Sequence, residues 1–337
     1  MQNIPLKMWA VVQSAVGAKL EIKEMEVPKP GKGQVLVKME FASINPSDLS
    51  LLKGTYASKA SYPFVPGIEG SGRVVAKGEG LMPAIRMGKR VSCTSTAPLD
   101  GCWAEYMLTS AMHVIPIAND INYQQASAMI VNPLTAIAFM DIASALNIKS
   151  IANNAAGGAL GKMMVRLSLK FGFDLISIVR NNAQKEKLKS LGAKYVLDSS
   201  DVNYTSQLKD LTHQLDTKLY FDAIGGQSTY EFIEASPESS FIYLYANLSG
   251  EKVQFEARTL LQQNKEIRGF FLGQYSAKQN LVKTLKTIKK AQKLIHQELQ
   301  TQVVKSFSLN EVQDAIDLYE GSMSAGKVLL NCGGGLS

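Results

Sequence analysis

The chain has 337 residues, 46% of them apolar, and a formal net charge of +7. That length suits two domains with room for real cores, and the apolar fraction is ordinary for a globular protein. No apolar run approaches the roughly 18 residues of a membrane helix, Met1-Gln2-Asn3-Ile4-Pro5-Leu6-Lys7 lacks the basic-then-apolar plan of a signal peptide, and Cys93, Cys102 and Cys332 are too few and scattered for a disulfide framework. The expectation is a cytoplasmic protein in a reducing compartment, with no membrane partner.

The N-terminal part alternates short strands with turn residues: Pro28, Pro30-Gly31, Gly33, Asn45-Pro46, Pro66-Gly67, Gly70, Gly72, Gly78, Gly80 and Gly88. Val35 to Phe41, Gly72 to Ala76 and Arg90 to Cys93 read as strands, which predicts a compact β-rich domain over residues 1–123. The chain then crosses into a second pattern, expected over 124–269. Ile148 to Ala152 reads as a strand, Asn154 to Gly161 as a glycine turn, and the residues after it as a helix. Strands follow at Asp174 to Val179, Tyr195 to Leu197, Lys218 to Asp222 and Phe241 to Tyr245, with helices at Ala183 to Leu191 and Val202 to Leu215 between them. This rhythm predicts an α/β fold: a doubly wound parallel sheet with helices on both faces. Lys278 to Lys293 reads as an amphipathic helix with a basic solvent face, and no stacking-aromatic pattern accompanies the charge, so nucleic acid is not expected as a partner. Lys305 to Leu309 and Lys327 to Leu330 would be late strands that complete the first domain with residues 270–337.

Strand, tight turn and helix bring backbone close to a pyrophosphate and aim a helix N-terminus at its charge. Here the turn is A-x-x-G-x-x-G (Ala155, Gly158, Gly161), with Gly157, Gly158, Ala159, Leu160 and Gly161 as the expected cradle. An NAD site places an acid about 20 residues further on, on the ribose hydroxyls. This chain has Ser177-Ile178-Val179-Arg180-Asn181-Asn182 instead. Arg180 can fork onto a 2′-phosphate, with Asn181 and Asn182 as neutral donors, so NADPH is the expected cofactor.

Several landmarks stand in order along nearly the whole chain: Asn45-Pro46-Ser47-Asp48, Pro66-Gly67-Ile68-Glu69-Gly70-Ser71-Gly72, Asn132-Pro133-Leu134-Thr135-Ala136, the glycine turn, Leu191-Gly192-Ala193, Asp222-Ala223-Ile224-Gly225-Gly226 and Gly326-Lys327-Val328. The chain thereby resembles the zinc-free branch of the medium-chain dehydrogenases/reductases, which includes quinone oxidoreductases and 2-enoyl thioester reductases. The resemblance implies a GroES-like β-rich catalytic domain, a Rossmann domain and a homodimer formed through a strand edge at Phe270 to Gln274. It also implies cofactor contacts from Asn132, Thr135 and Lys327, from Tyr245 in Tyr245-Ala246-Asn247-Leu248, and from Phe270, Phe271 and Leu272 in Ile267-Arg268-Gly269-Phe270-Phe271-Leu272.

Zinc-dependent relatives take a cysteine where Asn45 stands and a histidine where Ile68 stands, and His113, His213 and His296 are far apart. A tetrahedral N/S site cannot be assembled from these, so no metal is expected. Without a metal, hydride transfer to a quinone or to a carbonyl-conjugated C=C is the available chemistry, with a proton donor completing the second case. Tyr56, which matches a tyrosine considered catalytic in the enoyl thioester reductases, is the candidate donor, and Asn45 would line the reaction site. A non-catalytic NADPH-binding sensor, structural protein or nucleic-acid binder is the alternative.

Overall fold

The computed structural model describes residues 4–56, 61–95 and 100–334. The chain divides into two units, Met1–Val131 with Thr301–Ser337, and Asn132–Gln300.

In the first unit the three expected strands form, each slightly extended: Gln34–Ser43, Glu69–Lys77 and Arg90–Thr94. Val35, Leu36 and Val37 are all buried on the first of them, and from Val37 on buried Val37 and Met39 alternate with the half-buried Lys38 and Glu40. That alternation is what a strand with one face on a core requires. The unit's main sheet runs in the order Val303–Ser308, Lys327–Asn331, Gln34–Ser43, Glu69–Lys77, Arg90–Thr94, Val114–Pro116, with Tyr106–Ser110 also paired to Gln34–Ser43. All neighbours are antiparallel except the first two strands, which are parallel. The C-terminal segment therefore completes this unit as expected. One element ends early: Leu309 leaves the strand and opens a short 3-10 turn, where Ser308 and Glu311 close a capping box.

The second unit carries six parallel strands in the order Tyr195–Asp198, Asp174–Val179, Ser150–Asn153, Leu219–Asp222, Phe241–Leu244, Glu266–Gly269. In chain order this is 3-2-1-4-5-6, the doubly wound Rossmann arrangement. The two central strands are buried along their whole length, as a sheet covered on both faces demands. Helices Ala159–Phe171, Asn182–Ser190 and Tyr204–Gln214 fall where the periodicity predicts.

Three expectations need correction. The division falls at 131/132 and 300/301, not at 123/124 and 269/270. Residues 123–131 stay with the first unit because Ser71 Oγ donates to the Tyr123 carbonyl at 2.6 Å and the Glu69 carboxylate accepts from the N–H groups of Ile130 and Val131. Residues 270–300 stay with the second: Phe270 packs edge-on against Phe139 at 4.9 Å, Arg166 donates to the carbonyls of Gln297 and Gln300, and Lys170 pairs with Glu298 at 2.6 Å. Such long-range contacts leave no periodic trace in the chain.

Next, Phe270 to Gln274 is not a strand edge. The last strand stops at Gly269, and Leu272–Ala277 is helical. Finally, the basic helix, Leu281–Leu294, buries Ala291 and Leu294 but leaves Leu281, Val282 and Leu285 exposed, so its N-terminal half does not hide an apolar face.

Candidate active site

In the second unit, the glycine turn joins strand Ser150–Asn153 to helix Ala159–Phe171. Gly158 is the N-cap, and no side chain among the described residues caps the helix, so its first N–H groups are left without a side-chain acceptor there. A Cβ on Gly161 would lie 2.2 Å from the Ala156 carbonyl oxygen, so helix and turn touch backbone to backbone. A Cβ on Gly158 would meet nothing closer than the Ala155 oxygen at 3.3 Å. Gly161 is thus demanded by the chain's own packing, whereas Gly158 leaves room on the side where an anion approaches an uncapped helix end.

Beside the turn, at the carboxyl ends of the two central strands, lies a network that the sequence reading did not assign. Asn154 Nδ2 donates to Asp222 Oδ1 at 2.5 Å and to Ser228 Oγ at 2.8 Å, and Asn154 Oδ1 accepts from the Ala223 N–H at 2.7 Å. Asp222 also accepts from the N–H groups of Ile224 and Gly225 and from Thr229 Oγ1. These bonds pin both loops at the point where strand order reverses, the position at which doubly wound sheets hold their ligands. The signal available in the sequence was an acid at a strand end just before two glycines.

Strand Asp174–Val179 ends at Arg180, which is exposed, and its guanidinium has no hydrogen bond or ion pair among the described residues. Asn181 is the N-cap of the next helix, its side chain accepting from the Gln184 N–H at 2.9 Å, and Asn182 is the first, exposed residue of that helix. Arg180 and Asn182 are therefore available to a ligand, while the Asn181 amide oxygen is already used. Asn132 and Thr135 lie on the first turns of helix Val131–Ala145, the former half-buried and the latter buried. Tyr245 and Phe270 both stack edge-on against Phe139, whose other contact is a parallel stack on Phe221 at 3.7 Å. Phe270 is a packed ring; Phe271 next to it is exposed, and Leu272 opens a helix.

The first unit holds a buried polar cluster. Asn45 caps helix Pro46–Leu52, and its backbone N–H donates to Asp48 Oδ2 at 2.8 Å in a capping box. Its side chain is fully buried and fully used: Nδ2 donates to Ser43 Oγ and to Glu69 Oε1, each at 3.1 Å, and Oδ1 accepts from Lys327 Nζ. Asn45 is expected to line a reaction site, and its amide is held in place by Ser43, Glu69 and Lys327. Lys327, also buried, donates to the Ile44 carbonyl at 3.0 Å, and burial pushes its ammonium pKa down. Glu69 accepts four hydrogen bonds, from Ser43, Asn45, Ile130 and Val131. Burial pushes the Asp48 carboxyl up to about 7, against the opposing pull of the Asn45 and Ile68 N–H groups and the Lys327 ammonium. Asp48 and Glu69 carry no role that local spacing reveals; the available signal was an acid within each of the two short motifs Asn45-Pro46-Ser47-Asp48 and Gly67-Ile68-Glu69-Gly70.

Tyr56 follows this helix, half-buried beyond a turn in which Gly54 takes a left-handed φ of 67°. Burial, with a smaller contribution from the Asp48 carboxylate, raises its pKa above the ordinary phenol value. The phenol is therefore protonated at neutral pH, the state a proton donor needs.

A parallel sheet of order 3-2-1-4-5-6 with a tight glycine turn defines a dinucleotide-binding oxidoreductase fold. Residues 31–119 match the alcohol dehydrogenase GroES-like domain, and residues 159–289 match the zinc-binding dehydrogenase domain. A proposed NADPH:quinone reductase from Mesorhizobium loti is 30% identical, with a TM-score of 0.90 over 98% of this chain and 100% of its own. Its counterpart from Bacillus thuringiensis is 28% identical, with a TM-score of 0.85 over 97% and 99%. The mitochondrial enoyl-[acyl-carrier-protein] reductase of Homo sapiens is 28% identical over 261 residues, 76% of this chain and 69% of its own. The chain belongs to the medium-chain dehydrogenases/reductases, in the branch of the quinone and enoyl reductases.

Proposed function

We propose that this protein is an NADPH-dependent reductase of quinones or of α,β-unsaturated carbonyl compounds, 2-enoyl thioesters or enones. One observation carries the reading: Arg180, exposed and with an unpaired guanidinium among the described residues, ends the strand at which an NAD site would offer a carboxylate. The residues fit the cofactor. The uncapped helix end after Gly158 and the close-packed Gly161 suit its pyrophosphate, Arg180 and Asn182 its 2′-phosphate, and Asn132, Thr135, Tyr245 and the Phe270 to Leu272 segment line the same unit.

When bound, NADPH supplies a hydride. On a conjugated C=C the hydride would add at the β-carbon, and the negative charge would spread to the carbonyl oxygen. The Tyr56 O–H then gives its proton to the α-carbon, and the phenolate recovers one from water. Asp48, buried beside the start of this loop, opposes a lasting phenolate and returns the donor to its neutral form. Zinc has no part in the reading. Asn45 and Ile68 offer neither thiolate nor imidazole, and the Asn45 oxygen is bound by an ammonium.

The relatives' names support both acceptor classes, and NADPH oxidation with a quinone, an α,β-unsaturated ketone, and crotonyl and longer enoyl thioesters tests them. Turnover with at least one is expected; tight NADPH binding with no turnover on any would replace this reading by a non-catalytic one.

Arg180→Ala should raise the NADPH dissociation constant about 10- to 100-fold, the worth of a lost charge-assisted hydrogen bond, and leave NADH within about threefold of its starting value. Equal weakening of both cofactors would remove Arg180 from the phosphate. The three cysteines are free and buried, consistent with a reducing, cytoplasmic location, although the mitochondrial relatives show that the branch is not confined to it. A homodimer fits the free outer edge of strand Glu266–Gly269, flanked by the exposed Leu261 and Phe271. No helix among the described residues is long and apolar enough to cross a membrane.

A further inference from the structure

Gly157 belongs to the turn expected to cradle the pyrophosphate, but its bare Cα is covered from within the chain. A Cβ there would lie 2.8 Å from Gln184 Cδ and 2.9 Å from Gln184 Oε1. The amide of the half-buried Gln184 therefore lies in the space that any larger residue at 157 would take. The same amide oxygen accepts from the Arg180 backbone N–H at 3.4 Å. One side chain thus touches both the glycine turn, which follows the first strand of this sheet, and the end of the second strand.

Gln184 is itself held. Its backbone N–H donates to Asn181 Oδ1 at 2.9 Å, the N-cap bond of helix Asn182–Ser190. Asn-x-x-Gln is the spacing of a capping box, in which the glutamine returns to the N-cap N–H. Here it reaches one residue further back, past Asn181 to Arg180. That puts the bond on the residue whose exposed guanidinium is the candidate 2′-phosphate ligand. A backbone bond from the Ala156 N–H to the Ile178 carbonyl at 3.0 Å already ties the turn to the second strand, two residues before Arg180. Gln184 extends the tie to Arg180 itself.

We propose that Gln184 is a positioning residue for cofactor selection: it holds the Arg180 main chain at a fixed distance from the glycine turn, so that guanidinium and turn meet the 2′-phosphate and the pyrophosphate of one NADPH together. This rests on the reductase reading above, and within it on Arg180 as the phosphate ligand. A ligand that carries both groups binds less tightly when that spacing is loose, because Arg180 must then be ordered at the moment of binding. A ligand without the 2′-phosphate makes no use of the spacing. Loss of a helix cap alone would lower stability and would not distinguish the two cofactors.

The test titrates NADPH and NADH into wild type, Gln184→Ala, Gln184→Met, Gly157→Ala, Arg180→Ala and the pairs Gln184→Ala/Arg180→Ala and Gly157→Ala/Gln184→Ala, with thermal unfolding recorded for each. Gln184→Met removes the acceptor at similar volume, and it serves if the alanine variant is unstable. Both Gln184 variants should raise the NADPH dissociation constant about three- to tenfold, the range of one neutral hydrogen bond, and the NADH constant less than about twofold. In the Arg180→Ala background, Gln184→Ala should change neither constant by more than about twofold, the non-additivity of residues that act as a unit. Gly157→Ala presses a methyl group onto the end of a flexible side chain, so it should reproduce the NADPH-selective loss and add nothing once Gln184 is alanine.

Equal weakening of both cofactors by Gln184→Ala, no weakening of either, or an NADPH loss that persists without Arg180 would each overturn the proposal and leave the 2′-phosphate reading in place. An Arg180→Ala variant with the wild-type ratio of the two affinities would remove that reading, and the positioning role with it.

Discussion

Tyr56→Phe is expected to lower kcat on a 2-enoyl thioester by about 10²- to 10³-fold, the range of a lost general acid, with NADPH affinity and KM changed by less than about threefold. The substitution removes one hydroxyl from a half-buried loop residue and no core volume, so folding should survive it. The same variant should lose less than about tenfold on a quinone. Reduced quinone carries its charge on oxygen, and oxygen is protonated rapidly by water, whereas the α-carbon of an enolate needs a placed donor. A uniform loss on both acceptors would instead make Tyr56 a wall of the binding site. Wild-type turnover on the thioester would end its role as donor. The phenol's raised pKa makes a further point: the donor stays protonated well above neutral pH, so any pH dependence of turnover near 7 belongs to another group, and the buried Asp48 carboxyl, pushed up to about 7, is one such group.

The second large effect separates Gly158 and Gly161, two glycines three positions apart that the turn motif treats alike. Gly161→Ala places a methyl group 2.2 Å from the Ala156 carbonyl oxygen, a backbone atom that can yield only if helix and strand part. A loss of about 3 kcal/mol is expected, at the upper end for overpacking, which lowers the unfolding transition of the second unit by roughly 5–10 °C. NADPH affinity should fall with it. Gly158→Ala meets nothing closer than 3.3 Å and keeps an allowed φ of −75°, so stability should change by less than about 1 kcal/mol. If the pyrophosphate approaches this turn as in other doubly wound sheets, the methyl group would crowd it, and NADPH affinity should drop about tenfold or more. Calorimetry and cofactor titration of the two variants check this. If Gly158→Ala binds NADPH normally, the pyrophosphate lies elsewhere.

The legible part of the fold was the part written in local periodicity. Alternating and fully apolar strands, helices at a 3.6-residue period and glycines at turns placed Asp174–Val179 to the residue and most of the other elements within two. The turn from Ala155 to Gly161 and the end of strand Asp174–Val179 are contiguous segments, so the candidate cofactor residues could be picked out along the chain. What escaped was whatever depends on partners far apart in sequence. Glu69 reaches residues 130 and 131, and Lys327 reaches Asn45 across 282 positions. The membership of 270–300 in the second unit rests on ring stacking and on carbonyls that accept from Arg166. The strand expected at Phe270 to Gln274 failed because apolar residues in a row do not distinguish a sheet edge from a short helix.

By itself, the amino-acid sequence determined the class of fold, the place of the glycine turn, the arginine that stands where an acid would choose NAD, and the absence of cysteine and histidine at the two zinc-ligand positions. These are questions of residue type and short-range spacing, and residue type is enough to settle which groups can meet a phosphate or a metal. Only the tertiary structure decided how the marked residues are buried and bonded. It left Arg180 exposed, raised the Tyr56 pKa, and buried Asn45 and Lys327 against each other. The physical reason is that availability depends on burial and on hydrogen-bond partners, and both are set by strands brought together from opposite ends of the chain.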